Sequence, residues 1–351
     1  MELDKRNQDG LVLCLGANVR PRTESEDKYK WSLFAPPPAI ADLNIATSMV
    51  RPDFDPRPAI FYQGGIGSCA SCTSKSGVEL VYNAANPGRV AKTINPGPLY
   101  AQSRIKQGWF PQDSGSYLAD NLDQLLLGSP LLTAETGYVD SATYAYDNYK
   151  WDEGADYEFS HLPFYPSGGT FLEHIWNAIN QNKAVALASA WPDAWFNPKG
   201  GKLPAGIRQF TSAGHAFLAW AVVPGFVLCA NSWSTGWSAD AAQFGFQMRP
   251  GDFAVPFEYF QMQNGPFWEG RVLTAEKVVP QPEPPKPEPP KPEPPKPEPP
   301  KPEPPTPDKA SFTGVLDKVK MGGSILISRD IGTDTATIKK MQGKRVRVSE
   351  L

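Results

Sequence analysis

Apolar residues recur at helical spacing early in the chain and at strand spacing later. A first helix is expected from Ser68-Cys69 through Val78, Leu80 and Val81, stopped by Asn86-Pro87-Gly88, because proline and glycine end the helical pattern. A second starts near Ser114-Gly115-Ser116, carries Leu118, Leu122, Leu125 and Leu126 on one face, and ends at Gly128. A third begins at Thr170 with Glu173 three residues on, the spacing of a capping box, and turns Leu172, Ile175, Trp176 and Ile179 inward. The pattern then shifts to short apolar runs, which predict strands at 184–190, 214–222, 226–230 and 244–248. Early helices followed by late strands imply an α+β class with the two kinds of element segregated.

Composition adds boundaries to this picture. Hydrophobic residues make up 40% of the 351, with ten Trp, twelve Tyr and eighteen Phe, enough for a sizeable packed core. Proline is the outlier at 38 residues, and it is concentrated in repeats of Lys-Pro-Glu-Pro-Pro. The chain therefore divides into an N-terminal extension (1–40), a globular region (41–279), a linker (280–308) and a short tail (309–351). Proline at this density blocks helix and sheet and favours polyproline II. At about 3.1 Å per residue the linker reaches roughly 75–80 Å as a semi-rigid spacer. The tail has strand-like runs at 324–328 and 345–348 with Gly322-Gly323 and Gly343 as turns. A small β-rich module held on a spacer suggests docking to something larger.

Charge and cysteine use exclude several classes. A formal charge of −3 and no long basic run argue against a nucleic-acid partner. The apolar run Leu11-Val12-Leu13-Cys14-Leu15 is too short for a signal-peptide core, and no segment is long enough to span a bilayer. The reading is a soluble protein, cytoplasmic in the producing cell, with incorporation into a virion or other assembly as a further option. Of the four cysteines, Cys69 and Cys72 form a Cys-x-x-C. No second such pair and no nearby His pair completes a metal site, so neither metal nor cofactor is expected.

Three motifs carry chemistry. In Gln63-Gly64-Gly65-Ile66-Gly67-Ser68-Cys69, a cysteine at the first turn of a helix gains thiolate character from unpaired backbone N–H groups. Glycines before it let backbone approach a substrate. The Gln63 amide and the Cys69 N–H are candidate donors to an oxyanion, with Gly67 and Ser68 in support. In Ala213-Gly214-His215, the imidazole heads an apolar strand and can serve as base. In Asn231-Ser232-Trp233-Ser234-Thr235-Gly236-Trp237, the Asn231 amide oxygen can orient that imidazole under cover of Trp233.

These motifs, in this order and with His215 lying 146 residues after Cys69, resemble the papain (C1) family of cysteine peptidases over about residues 40–270. The resemblance implies two subdomains, one helical and one β-barrel-like, with a cleft between them. It implies Cys69 as nucleophile, His215 as base, Asn231 as orienting residue and Gln63 as oxyanion donor. Three features differ from the family pattern. Ile66 stands where the family usually has a cysteine that forms a disulfide in secreted members. Ala70 stands where an aromatic residue usually follows the nucleophile. The 68 residues before Cys69 are unlike the long helical propeptide of secreted members, which is similar to bacterial and viral members without one.

The function expected is that of a thiol endopeptidase acting on peptides or proteins and tethered to its docking tail. A structural protein carrying an inactive or accessory papain-like domain is a second reading. A transpeptidase or deamidase using the same triad is a third. The Pro-rich stretch at 35–38 has two placements open to it, along the fold or across the cleft.

Overall fold

The two periods of the sequence separate into a helical layer and one antiparallel sheet. The structure, a computed structural model, describes residues 4–6, 12–18, 45–147, 157–164, 171–210, 213–262, 265–275, 319–320 and 324–325. The stretch 35–38, Thr170, the linker and the 345–348 run lie outside the described residues. The chain divides into two units, Met1–Gln281 and Pro282–Leu351. In the second unit only a two-strand antiparallel ladder, Val319–Lys320 with Ser324–Ile325, is described.

In the first unit, β1 (Asp4–Arg6) and β2 (Val12–Cys14) form a small hairpin, and β3 (Thr47–Ser48) joins the main sheet. Three helices follow: α1 (Cys69–Ala85), α2 (Pro96–Gln107) and α3 (Leu118–Leu127). Then come β4 (Phe159–Phe164), α4 (Phe171–Asn180), β5 (Ala184–Ala190), β6 (Gly214–Val223), β7 (Phe226–Ala230), β8 (Asp252–Pro256) and β9 (Phe267–Ala275), with a one-turn helix before β9. The seven-stranded sheet has the order β4-β9-β5-β6-β7-β8, with β3 beside β6.

Every residue of β5 and β6 is buried. Side chains alternate across a strand, so burial at every position requires cover on both faces. Helix α1 supplies part of it, packing on β5, β6 and β9. Gly77 allows that approach, since a Cβ there would lie 3.0 Å from Leu273 and 3.3 Å from Leu218. Helix α4 packs on β3, β5 and β6. The hairpin between β6 and β7 turns at Pro224-Gly225, with Gly225 at φ +85°, a conformation that favours glycine. That return brings Asn231, just past β7, alongside His215, second residue of β6.

The structure corrects two expectations and adds elements the periodicity missed. Residues 244–248 are not a strand. Phe244 ends a 3-10 turn (Ala241–Phe244) and Phe246 and Gln247 have φ of +52° and +59°, which a strand cannot contain. Leu126 is half exposed rather than inward, because the face of α3 that packs on α1, α2 and β4 takes in Leu118, Leu122 and Leu125 and leaves position 126 outside it. Helix α2 and strands β4, β8 and β9 were not predicted. The start of α2 is capped by Asn95, whose side chain accepts from Gly97 N at 3.1 Å, with Pro96 next and Gly108 closing the helix at φ +73°.

Candidate active site

Cys69 is the first residue of α1, and Ser68 occupies the cap position. Ser68 does not cap the helix with its side chain, and the first turn carries no acidic residue. The partial positive charge at the helix start is thus left for the thiol and whatever lies against it. The Ser68 hydroxyl instead meets Tyr138 Oη at 3.0 Å and Cys72 Sγ at 3.8 Å.

The loop before the helix is fixed by partners distant in sequence. Gly64 has φ +75°, and a Cβ there would lie 2.0 Å from the Asp140 carboxylate. Gly65 N donates to Asp140 Oδ2 at 2.8 Å and Gly67 N to Asp113 Oδ1 at 3.0 Å. Asp113 Oδ1 also accepts from Tyr100 Oη, which in turn accepts from Gly115 N at 3.1 Å. Tyr138 Oη donates to Gln63 O at 2.5 Å.

His215 and Asn231 meet directly: Nε2 lies 2.6 Å from Asn231 Oδ1. The same oxygen accepts from Ser232 N at 2.7 Å, so it is an acceptor and Nε2 must be the donor. The neutral imidazole therefore carries its proton on Nε2 and its lone pair on Nδ1. Trp233 stacks on the ring with centroids 4.1 Å apart and planes at 26°, and Trp191 meets it edge-on at 4.7 Å. Both indoles are fully buried.

The first and third motifs pair with each other. Tyr62 bridges Trp233, Gln63 N donates to Ser232 O at 2.9 Å, and Ser234 N donates to Phe61 O. Ser232 Oγ donates to Gln63 Oε1 at 2.6 Å. Gln63 Nε2 donates one hydrogen to Ile66 O at 2.9 Å, and because a carbonyl can only accept, Oε1 is the end that faces Ser232. Gln63 thus stands between the loop before Cys69 and the turn that carries Asn231.

A segment of the N-terminal extension fills the cleft. Gly16 N and Ala17 N both donate to Gly214 O, at 2.9 and 3.0 Å. Ser116 N donates to Gly16 O at 2.8 Å, Asn18 N to Ser116 O at 3.3 Å, and Asn18 Nδ2 to Ser114 O at 2.7 Å. Residues 16–18 therefore bridge the start of α3 and the head of β6. The fit requires glycine: a Cβ on Gly16 would lie 1.9 Å from Gly67 O.

The thiol and imidazole are consequently cut off from water, each 0% exposed. Burial pushes the Cys69 thiol up to about 12, against a smaller opposing effect of the surrounding Ala216, Gly16, Ala70 and Ala17 backbone. Burial pulls His215 down to about 3, with the Asn231 bond opposing. His215 Nδ1 is buried without a hydrogen-bond partner. In this closed state both groups are neutral.

Other expected residues are placed elsewhere. Cys72 and Cys229 are buried free thiols, as is Cys69, and burial raises Cys72 to about 12. His161 lies away from this site, with Nε2 3.2 Å from Asp123 Oδ1 between β4 and α3. Among the described residues there is no cluster of His, Cys, Asp and Glu that could hold a metal, and no helix is long and apolar enough to cross a membrane. Sequence reasoning missed Asp113, Ser116, Tyr138 and Asp140, which sit in loops without periodicity and reach the site only through the tertiary fold.

No protein-family model matches the chain, and no curated protein matches it in sequence. Among solved structures it is similar to xylellain, a cysteine protease from Xylella fastidiosa, with a TM-score of 0.56 and 15% identity over 79% of this chain and 100% of that one. It also matches digestive procathepsin L 3 of Tenebrio molitor (TM-score 0.49, 16% identity, 70% of this chain and 74% of that one). A cysteine protease of Carica candamarcensis matches at TM-score 0.47 and 18% identity, over 66% of this chain and 98% of that one. The likeness to xylellain shows the fold: residues 45–275 have the α+β architecture of papain-like cysteine proteases.

Proposed function

We propose that the protein is a papain-like thiol peptidase, held closed by residues 16–18 and tethered through its Pro-rich linker to a docking tail. The observation that carries this reading is the His215 imidazole, held by Asn231 Oδ1 and stacked on the Trp233 ring, on a strand whose next residue, Ala216, has its backbone against the Cys69 thiol. With the segment withdrawn, water and substrate enter and the charged forms of thiol and imidazole cease to be penalised by burial. His215 Nδ1 then takes the Cys69 proton, and the thiolate attacks a peptide carbonyl carbon. The carbonyl oxygen becomes an oxyanion held by Gln63 Nε2 and the Cys69 backbone N–H. Its collapse breaks the C–N bond as the imidazolium gives its proton to the leaving amine, and a thioester remains. His215 next takes a proton from water, whose oxygen attacks the thioester and frees the new acid and the thiol. The same thioester supports transpeptidation if an amine takes the place of that water, and deamidation if the bond attacked is a side-chain amide.

A second reading, an accessory papain-like domain with a silent site, is favoured by one observation: Cys69 and His215 lie wholly buried under residues 16 and 17. One experiment separates the two. An epoxysuccinyl thiol probe is applied to the full chain, to Gly16→Leu and to both with Cys69→Ala. Leucine at 16 cannot seat against Gly67, so Gly16→Leu is expected to label at Cys69 and to hydrolyse a peptide library, with Cys69→Ala abolishing both. A folded Gly16→Leu chain that neither labels nor hydrolyses would make the silent site the correct account.

A further inference from the structure

The oxyanion donors of the proposed reaction both belong to the Gln63-to-Cys69 loop, and Ile66 stands where the resemblance leads one to expect a disulfide-forming cysteine. The loop is held instead by a strut of residues with no regular secondary structure. We propose that Tyr138 and Asp140 are positioning residues for this site, clamping the Gln63–Ser68 loop so that the Gln63 amide and the Cys69 N–H point at the developing oxyanion. The inference rests on the peptidase reading and adds to it what orients those donors.

The bonds are directional. Burial raises the Tyr138 hydroxyl well above its ordinary value, so it remains a donor. It gives its one hydrogen to Gln63 O at 2.5 Å. The Ser68 hydroxyl, 3.0 Å away, must then donate to Tyr138 Oη. One phenol thereby ties the two ends of the loop together. Asp140 Oδ2 accepts from Gly65 N at 2.8 Å in the middle of the loop and blocks Gly64 from carrying a side chain. The strut itself is anchored. Tyr138 packs edge-on against Phe61, centroids 5.1 Å apart. Tyr146 Oη both accepts from Val139 N and donates to Val139 O, each at 2.9 Å. The Tyr146 hydroxyl is wedged against Gly97 at the start of α2, where a Cβ would lie 1.9 Å from it. A capped helix thus supports residue 139, and its two neighbours hold the loop.

Two independent readouts test this in the full-length Gly16→Leu chain. Tyr138→Phe keeps the ring contact and removes both hydroxyl bonds. Asp140→Ala removes the acceptor, and Asp140→Asn retains one. The expectation for Tyr138→Phe and Asp140→Ala is a kcat lower by about tenfold with KM within about twofold, since a misplaced donor acts on the transition state. Affinity for a peptide aldehyde, whose adduct places an oxyanion in the same position, falls by the same factor. Alkylation of Cys69 by iodoacetamide, which forms no oxyanion, stays within about twofold, and Asp140→Asn restores kcat. Equal losses in alkylation and hydrolysis, or an unchanged kcat, would overturn the proposal. If the Gly16→Leu chain does not hydrolyse peptides, the peptidase reading fails separately. Amide hydrogen exchange then decides the clamp: Gly65 and Gly67 should exchange about tenfold faster in Asp140→Ala and Tyr138→Phe. Unchanged exchange would show that neither residue holds the loop.

Discussion

On the sheet side of the cleft, His215 and Asn231 sit at the ends of adjacent antiparallel strands and are packed by Trp191 and Trp233. On the helix side, the loop 63–68 is glycine-rich and is held by a few hydrogen bonds with Asp113, Tyr138, Asp140 and Ser232. The first wall owes its geometry to a backbone ladder and aromatic packing, which are cooperative and dry. The second owes it to a few polar contacts, each of small net worth. A site built this way holds its imidazole firmly while the glycine-rich loop opposite responds to individual substitutions.

The sharpest way to break the contrast is to empty the aromatic wall. Trp233→Ala removes a wholly buried ring and is expected to cost about 3–5 kcal/mol in chemical denaturation, whereas Tyr138→Phe should cost no more than about 1.5 kcal/mol. A Trp233→Ala loss as small as that of Tyr138→Phe would mean the two walls are not differently built.

Acid titration probes the dry wall next. Burial sets His215 at about 3 in the folded protein, against an ordinary 6.5. Between these values the unfolded chain binds more protons, so this group makes stability fall as pH drops from about 6.5 towards 3. The slope reaches up to about 1.4 kcal/mol per pH unit. Asp252 works the other way: burial raises it to about 6 from 3.8, so the folded state binds the extra proton between those values. The stability difference between wild type and His215→Gln isolates the histidine, and it should shrink steadily on acidification below pH 6.5. A difference constant with pH would show that the imidazole is not held neutral by its surroundings.

Ser232 links the two walls. Ser232→Ala leaves Gln63 Oε1 without its hydroxyl donor, one of the two bonds that hold the amide, and kcat in the Gly16→Leu chain should fall about tenfold with little change in KM. An unaltered kcat would place the control of Gln63 elsewhere. The smallest effect is expected on the outer face of α3, where Leu126→Ser should change stability by less than about 0.5 kcal/mol, in contrast to Leu122→Ala in the same helix, at about 2–5 kcal/mol.

Much of the sheet wall was legible in the chain. The run 226–230 reads as a strand because it is a short apolar stretch that follows Pro224-Gly225, and Asn231-Ser232-Trp233 comes at once after it. Helix α1 was legible from Val78, Leu80 and Val81. Helix α2 was not, although Asn95-Pro96 and Gly108 are ordinary start and stop signals, because its apolar residues keep no clear helical period. The strand expected at 244–248 failed because local apolar content does not report backbone hand, and Phe246 and Gln247 turn left-handed.

By itself the sequence determined which residues are candidates for the chemistry, their order and the α+β segregation, because these depend on residue type and on periods of 3.6 and 2 that are local properties of the chain. Only the tertiary structure decided that Asp140 would meet Gly65 and that Gly16 would lie on Gly67 beside the thiol. Those contacts join residues separated by dozens of positions through single hydrogen bonds or close backbone approach, and such contacts leave no periodic trace in either partner.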